Sequence, residues 1–403
     1  MEQNQPKTQK YVIEGVLRTI TPLHITLAGA SARWDPAKNR KIYGEKGGFP
    51  LTLLRRAPFF LGRAWKPEGA EDSQDPAKSM RDEWPVIPAS TFRGMLRRGA
   101  ASIIEDYFVN ERNTLLSYET YQGMHSGAVS GNPDKAPPLS EEIISARVHP
   151  FYGIFGGGPR MLRGNLIAEN AIPLTDEFIK HGYVPQRYFD SALTGVRADN
   201  LVIANQVLRK DDFLGAGASD RASHIVENYD AIYAAKRDEA LVEAAKKMSG
   251  TAQAVQEDAS TEVAQEDGES SARGIRAMSF REDVVSGVPF YVRLVLDGTK
   301  AQLGLLLGAL ERALNVGIGG RIALGYGRTG GSLSLVQYDG DSVTAIDVIK
   351  SNGHGYEIIP DAASDWMSAL DEALENMKME DLHRYMLPTV IADSETKAKK
   401  KKA

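Results

Sequence analysis

Seven glycines and two arginines crowd into "NVGIGGRIALGYGRTGG" (residues 315–331), and what flanks that stretch limits the fold more than any other feature of the chain. Upstream stands "KAQLGLLLGALERAL" (300–314), whose length and apolar content predict a buried helix. Downstream "GSLSLVQY" alternates as a half-buried strand does, and "VPFYVRLVLDG" predicts another strand ahead of the helix. Gly325 to Gly330 spells GxGxxG, but a dinucleotide loop must follow a strand and open a helix, and here the order is reversed. That reading is excluded, and no GxxxxGK[ST] phosphate loop occurs. A turn at a helix C-terminus explains Gly317 and Gly319. The other glycines, interleaved with arginine, suit a backbone that approaches a phosphate or sugar closely. Arg321 and Arg328 offer planar, bidentate partners for phosphate, and Tyr326 a ring on which a base can stack.

A strand–helix pair also stands in the N-terminal half. "YVIEGVLRTITPLHITL" is β-rich and alternating. "PVIPASTFRGMLRRGAASIIEDYF" starts with helix-opening residues Pro88, Ser90 and Thr91 and carries an apolar stripe of Phe92, Leu96, Ile103 and Ile104. Arg93, Arg97 and Arg98 are expected together on the opposite side of that helix. Residues 35–85, with mixed Gly, Pro and charge, read as an irregular inserted loop region. A Gly/Pro-rich loop is expected over 122–139, and "FYGIFGGGPRMLRGNLIAENAIPL" reads as a glycine turn leading into a strand. Residues 190–281 are polar and charged, with an exposed helix at 228–248 and a mobile linker at 249–273. An acidic helix is expected at 362–379, before a basic tail. Without its insertions the order is β-α-β-β-α-β: an α+β, ferredoxin-like fold, the plan of an RNA-recognition sheet.

Composition narrows the function classes. Without cysteine, disulfides, thiolate metal sites and cysteine nucleophiles are excluded. The polar N-terminus shows no apolar signal region, and the apolar runs are too short to span a membrane, so a cytoplasmic protein with no membrane partner is expected. The formal net charge is −5, yet residues 1–67 hold twelve Lys or Arg against four Asp or Glu. A local excess of that kind suits a polyanion, while acid collects at 256–270 and 361–381.

Three motifs in order carry a family resemblance. "VIPASTFRGMLRRGA" resembles the "IPGSSLKGALR" segment of the RAMP superfamily; "FYGIFGGGPRMLRGNLIAENA" resembles its "LFG…GRLRFSDA" stretch; "GIGGRIALGYGRTGG" is similar to its C-terminal glycine-rich loop. Within the superfamily the chain looks like the Cas-seven-type backbone subunit of CRISPR effector complexes, and its length, its inserts and "VRADN…RKDD" favour the type IV branch. The resemblance implies an RRM-like palm (1–189 and 282–403), a finger insertion at about 35–85 and a thumb at 190–281. It implies copies stacked along the spacer of a guide RNA (crRNA), partnered by target nucleic acid (DNA or RNA) and other effector subunits, with no cofactor. By motif, Ser90, Thr91, Arg93, Arg97 and Arg98 line the guide face, with Gly317, Gly319, Gly320, Arg321, Gly325, Tyr326 and Arg328 against the guide from the other side. Arg197, Arg209 and Lys210 are the thumb candidates.

Catalysis has thinner support. Type III relatives cut target RNA with an aspartate after the first strand; the nearest residue here is Asp35, whose surroundings match that motif poorly and which, standing before a proline, reads as a turn residue. His24 alone hardly supports a repeat-RNA processing nuclease. The seven histidines lack metal-ligand spacing, and no GxSxG occurs. The expectation is a non-catalytic RNA-binding subunit, with those two nucleases as alternatives.

Overall fold

The computed structural model describes residues 7–27, 32–35, 38, 40–42, 49–58, 83–126, 143, 147–157, 162–210, 231, 276–340, 342–380 and 382. The chain divides into two units, Met1–Asn205 with Arg281–Ala403, and Gln206–Phe280. The strands are β1 (Gln9–Thr19), β2 (Ala32–Asp35), β3 (Arg40–Ile42), β4 (Phe49–Thr52), β5 (Arg56–Pro58) and β6 (Glu83–Pro85), then β7 (Gly156–Gly157), β8 (Leu162–Arg163), β9 (Leu166–Ala168) and β10 (Ile172–Pro173). β11 (Val202–Lys210), β12 (Arg276–Val284), β13 (Pro289–Gly298), β14 (Thr329–Asp339), β15 (Ser342–Ser351) and β16 (Tyr356–Ile358) follow. The helices are α1 (Ala89–Asp106), α2 (Tyr118–Ser126), α3 (Pro150–Phe155), α4 (Asp176–Lys180), α5 (Lys300–Val316) and α6 (Pro360–Asn376).

The main sheet runs β10-β13-β1-β14-β15-β16, with β9 also paired to β13. Its centre, β14-β1-β13-β9, is antiparallel throughout. With α1 between β1 and β9, and α5 between β13 and β14, this is the ferredoxin-like 4-1-3-2 order, so the expected α+β fold is present. Period two sorts the side chains of β1. Ile13 and Leu17 join Leu294, Phe290 and Leu333 in a core shared with Phe92 and Leu96 of α1 and Leu303, Leu306 and Leu310 of α5. The two helices approach so closely that a Cβ on Gly99 would sit 2.7 Å from the Ala309 carbonyl oxygen. Thr299 starts α5 with a capping box: its Oγ1 accepts from Gln302 N at 3.2 Å, and Gln302 Oε1 accepts from Thr299 N at 2.9 Å.

The other face of the sheet carries Glu14, which is fully buried. Its carboxylate accepts from Arg293 Nε (3.1 Å), Tyr338 Oη (2.6 Å) and Arg187. Burial and then the Glu14 charge push the Tyr291 phenol far above its ordinary range. Arg187 comes from the 3₁₀ turn Gln186–Ser191, which therefore straps this face.

A second sheet runs β11-β12-β4-β2-β3. Residues 35–85, expected to be irregular, thus form short strands where they are described, paired through Ala32↔Leu51 and Trp34↔Phe49. Strands of three or four residues give no alternation long enough to read. β15 and β16 extend the sheet beyond the expected last strand, and the acidic helix is α6, beginning at Pro360. Residues 190–205, grouped with the thumb in the sequence reading, include Ala198 and Leu201 buried in the core of the first unit. The helix at 228–248 (Ala231 aside), the linker at 249–273 and the basic tail lie outside the described residues.

Candidate nucleic-acid interface

Between the first half of α1 and the glycine stretch lies a groove of about 520 Å³. Thr91, Met95, Arg98 and Ser102 line it from α1, Arg312 and Val316 from the end of α5, and Gly317, Gly319 and Gly320 from the loop. The helix start and the loop are more than two hundred residues apart in sequence; α5, packed along α1, brings them together.

The loop lies along residues 20–27. Gly320 N donates to His24 O (2.8 Å), Gly327 N to Pro22 O (2.9 Å), and Arg328 N to Thr21 Oγ1 (3.0 Å). Several glycines are required by that packing. A Cβ on Gly319 would lie 2.4 Å from His24 O, and one on Gly327 2.0 Å from Ile318 O; Gly317, Gly325 and Gly327 also have positive φ. Tight turning therefore explains more of the glycines than Gly317 and Gly319 alone. Gly320 is exposed and free of both constraints. Arg321 adopts the left-handed conformation (φ 62°), which turns the chain into a short 3₁₀ turn.

The structure separates the three arginines of α1. Arg98 is exposed on the groove and makes no hydrogen bond or ion pair with a described residue. Arg97, expected beside it on a polar face, is buried instead. Its guanidinium donates to the carbonyls of Met124 (2.6 Å), Gly156 (3.2 Å) and Gly123 (3.2 Å) and lies over the Phe151 ring. Burial lowers its pKa to about 10, so it stays charged at neutral pH. Arg93 is half-buried and donates to Phe155 O (2.6 Å) and Leu166 O (3.3 Å). Neither lies with Arg98 on the open polar side expected of the three, because much of α1 is buried and these two arginines fasten neighbouring turns. Ser90 is exposed and Thr91 half-buried at a helix start with no side-chain cap; Asn170 Oδ1 accepts from Ala89 N (2.8 Å). Arg312 is balanced by Asp106.

Arg321 and Arg328 are exposed on the loop, with no side-chain partner among the described residues. The Tyr326 ring, half-buried, already has the Arg281 guanidinium 4.3 Å from its centre. Asp283 holds that arginine, both Oδ atoms accepting from Nε at 2.9 Å. Burial works to raise the Asp283 carboxyl, but bonds from His24, Asn205 and Arg281 outweigh it and hold the group below the usual carboxylate range. His24 is buried, bonded through Nδ1 to Glu282 O (2.8 Å) and through Nε2 to Thr26 Oγ1 (3.0 Å). The residues missed by sequence reading are thus Arg281 and Asp283, whose "RED" alternation within β12 was their only signal.

Arg197 is exposed ahead of a 3₁₀ turn, away from any contact that defines the groove. Arg209 and Lys210 end β11, where the backbone alone is described. Asp35 closes the β2–β3 hairpin, Oδ1 accepting from Lys38 N at 3.3 Å. Among the described residues no group of three or more His, Asp or Glu is placed to hold a metal, and no helix is long and apolar enough to cross a membrane.

A split β-α-β sheet with a cationic groove between its first helix and its last loop defines an RRM-like α+β protein. The chain belongs to the RAMP superfamily, whose family model matches residues 16–329. Comparison with curated protein sequences finds no match. Among solved structures it is similar to a chain of a type IV-B CRISPR complex, at TM-score 0.40 and 13% identity over 83% of this chain and 94% of that one. It is also similar to a chain of the type III-B Cmr-beta complex bound to cognate target RNA, solved by cryo-EM, at TM-score 0.30 and 11% identity over 84% of this chain. This chain spans 61% of the length of that one.

Proposed function

We propose that the chain is a non-catalytic guide-RNA-binding backbone subunit of a CRISPR effector complex, oligomerising along the guide. The observation that carries this reading is the groove: Thr91 and Arg98 of α1 face Gly317, Gly319 and Gly320 across it. Arg98, Arg321 and Arg328 are exposed there or on the adjoining loop, without a side-chain partner among the described residues. Family membership supports it. Unpaired guanidinium groups beside a backbone that bears no side chain at Gly320 suit a sugar–phosphate strand.

Fluorescence anisotropy with single-stranded RNA tests it across a salt series. Each of Arg98→Ala, Arg321→Ala and Arg328→Ala should weaken binding and lower the slope of log K against log salt by about 0.7. A triple variant that keeps wild-type affinity and slope would place the guide elsewhere. Metal-dependent cutting of bound target RNA, lost in Asp35→Ala, would replace this reading with the nuclease one.

A further inference from the structure

The glycine loop borders a second concavity. Gly317, Gly319 and Gly320 line the groove beside α1, whereas Gly330 and Gly331 line a separate cavity of about 460 Å³ on the sheet face opposite the helices. Exposed Arg321 and Arg328 belong to the stretch between the two. Hydroxyl-bearing Ser332 from β14 and Ser191 from the 186–191 strap line the cavity, together with Arg18. Three other hydroxyls there are engaged by protein. Ser351 accepts from Gly331 N (2.9 Å), Ser334 donates to Asp347 (2.5 Å), and Thr19 donates to Val285 O (2.9 Å). Ser191 and Ser332 have no side-chain partner among the described residues, and Arg18 has one nitrogen bonded to Gly287 O (2.8 Å).

The aromatic rings nearest the cavity on this sheet face already have a guanidinium partner, although Tyr188 also lines the cavity. The Tyr188 and Tyr338 rings have the Arg187 guanidinium 4.9 and 5.6 Å from their centres, and Tyr338 is tied to Glu14. The cavity thus presents two hydroxyls without a partner among the described residues, a cation and Tyr188 in a space of nucleotide size. Hydroxyls at that position match a ribose, whose 2′-hydroxyl donates and accepts.

We infer that this cavity is a ribose-reading subsite, reached by the same strand after it crosses the glycine loop, and that it lets the protein tell RNA from DNA. The inference rests on the function proposed above. Anisotropy with one single-stranded RNA and the DNA of the same sequence tests it, with thermal melting as the folding control. The Ser191→Ala/Ser332→Ala double variant should bind the RNA about fivefold more weakly, as expected for lost hydroxyl bonds, and the DNA unchanged. Unchanged RNA affinity in this variant, with Arg98→Ala still weakening binding, would overturn the subsite and leave the proposed function standing. Equal losses for RNA and DNA would overturn ribose reading. Loss in neither the serine nor the arginine variants would overturn the proposed function as well.

Discussion

Arg97 and Arg98 are sequence neighbours with opposite fates, and the difference is environment rather than residue type. Helical spacing placed both away from the apolar stripe, which holds for a helix with one solvated side. Here α5 closes one flank of α1, while carbonyls of Gly123, Met124 and Gly156 close another, so only Arg98 reaches the groove. A planar fork with several donors suits three carbonyls; an ammonium does not. Arg97→Ala takes the guanidinium donors from those carbonyls and removes the guanidinium from the Phe151 ring. Urea unfolding should show a loss of about 3 kcal/mol or more, with little rescue by Arg97→Lys. Arg98→Ala should stay within about 0.5 kcal/mol of wild type. Equal stability of the Arg97 and Arg98 variants would show that Arg97 is not a structural anchor.

At the scale of elements, long strands and helices were legible and short ones were not. β1, β13, β14, α1 and α5 each run for ten residues or more, long enough for an apolar pattern to stand out. The β2–β4 strands are three or four residues long, and β15 is exposed over its first six residues, so neither shows a buried face. The glycine loop was legible as a tightly turning stretch, but the reasons for its individual glycines were not, since they depend on contacts within the loop and with residues 20–27 beside it. Contact separates them. Gly327→Ala places a Cβ 2.0 Å from Ile318 O at a positive φ, and should cost about 2 kcal/mol or more. Gly325→Ala meets open space but keeps the left-handed backbone, so about 1 kcal/mol is expected. Gly320→Ala meets nothing closer than 3.7 Å and should leave the melting temperature unchanged. A melting series in which Gly320→Ala is as damaging as Gly327→Ala would contradict this packing of the loop.

At the scale of the whole molecule, the proposed function requires a recognition sheet to hold a strand without reading its bases. An RRM stacks bases on aromatics of the sheet face opposite its helices. In this protein that face holds a fully buried carboxylate, Glu14, bonded to Arg187, Arg293 and Tyr338, and a strap lies over it. The sequence could not disclose this arrangement, because Glu14 and Arg187 stand far apart in it and each reads as an ordinary solvated charge. The groove instead offers arginine, threonine and bare backbone, groups suited to sugar and phosphate. Net charge is a poor guide at this scale: the chain totals −5, while residues 1–67 carry a basic excess. Binding should therefore be nearly blind to sequence. Mixed-sequence, unstructured RNAs of one length should differ in Kd by no more than about twofold, against the tenfold or more that a lost specific base contact produces. A set of equal-length guides spanning tenfold in Kd by anisotropy would mean that bases are read, and that the Glu14 strap opens when RNA binds.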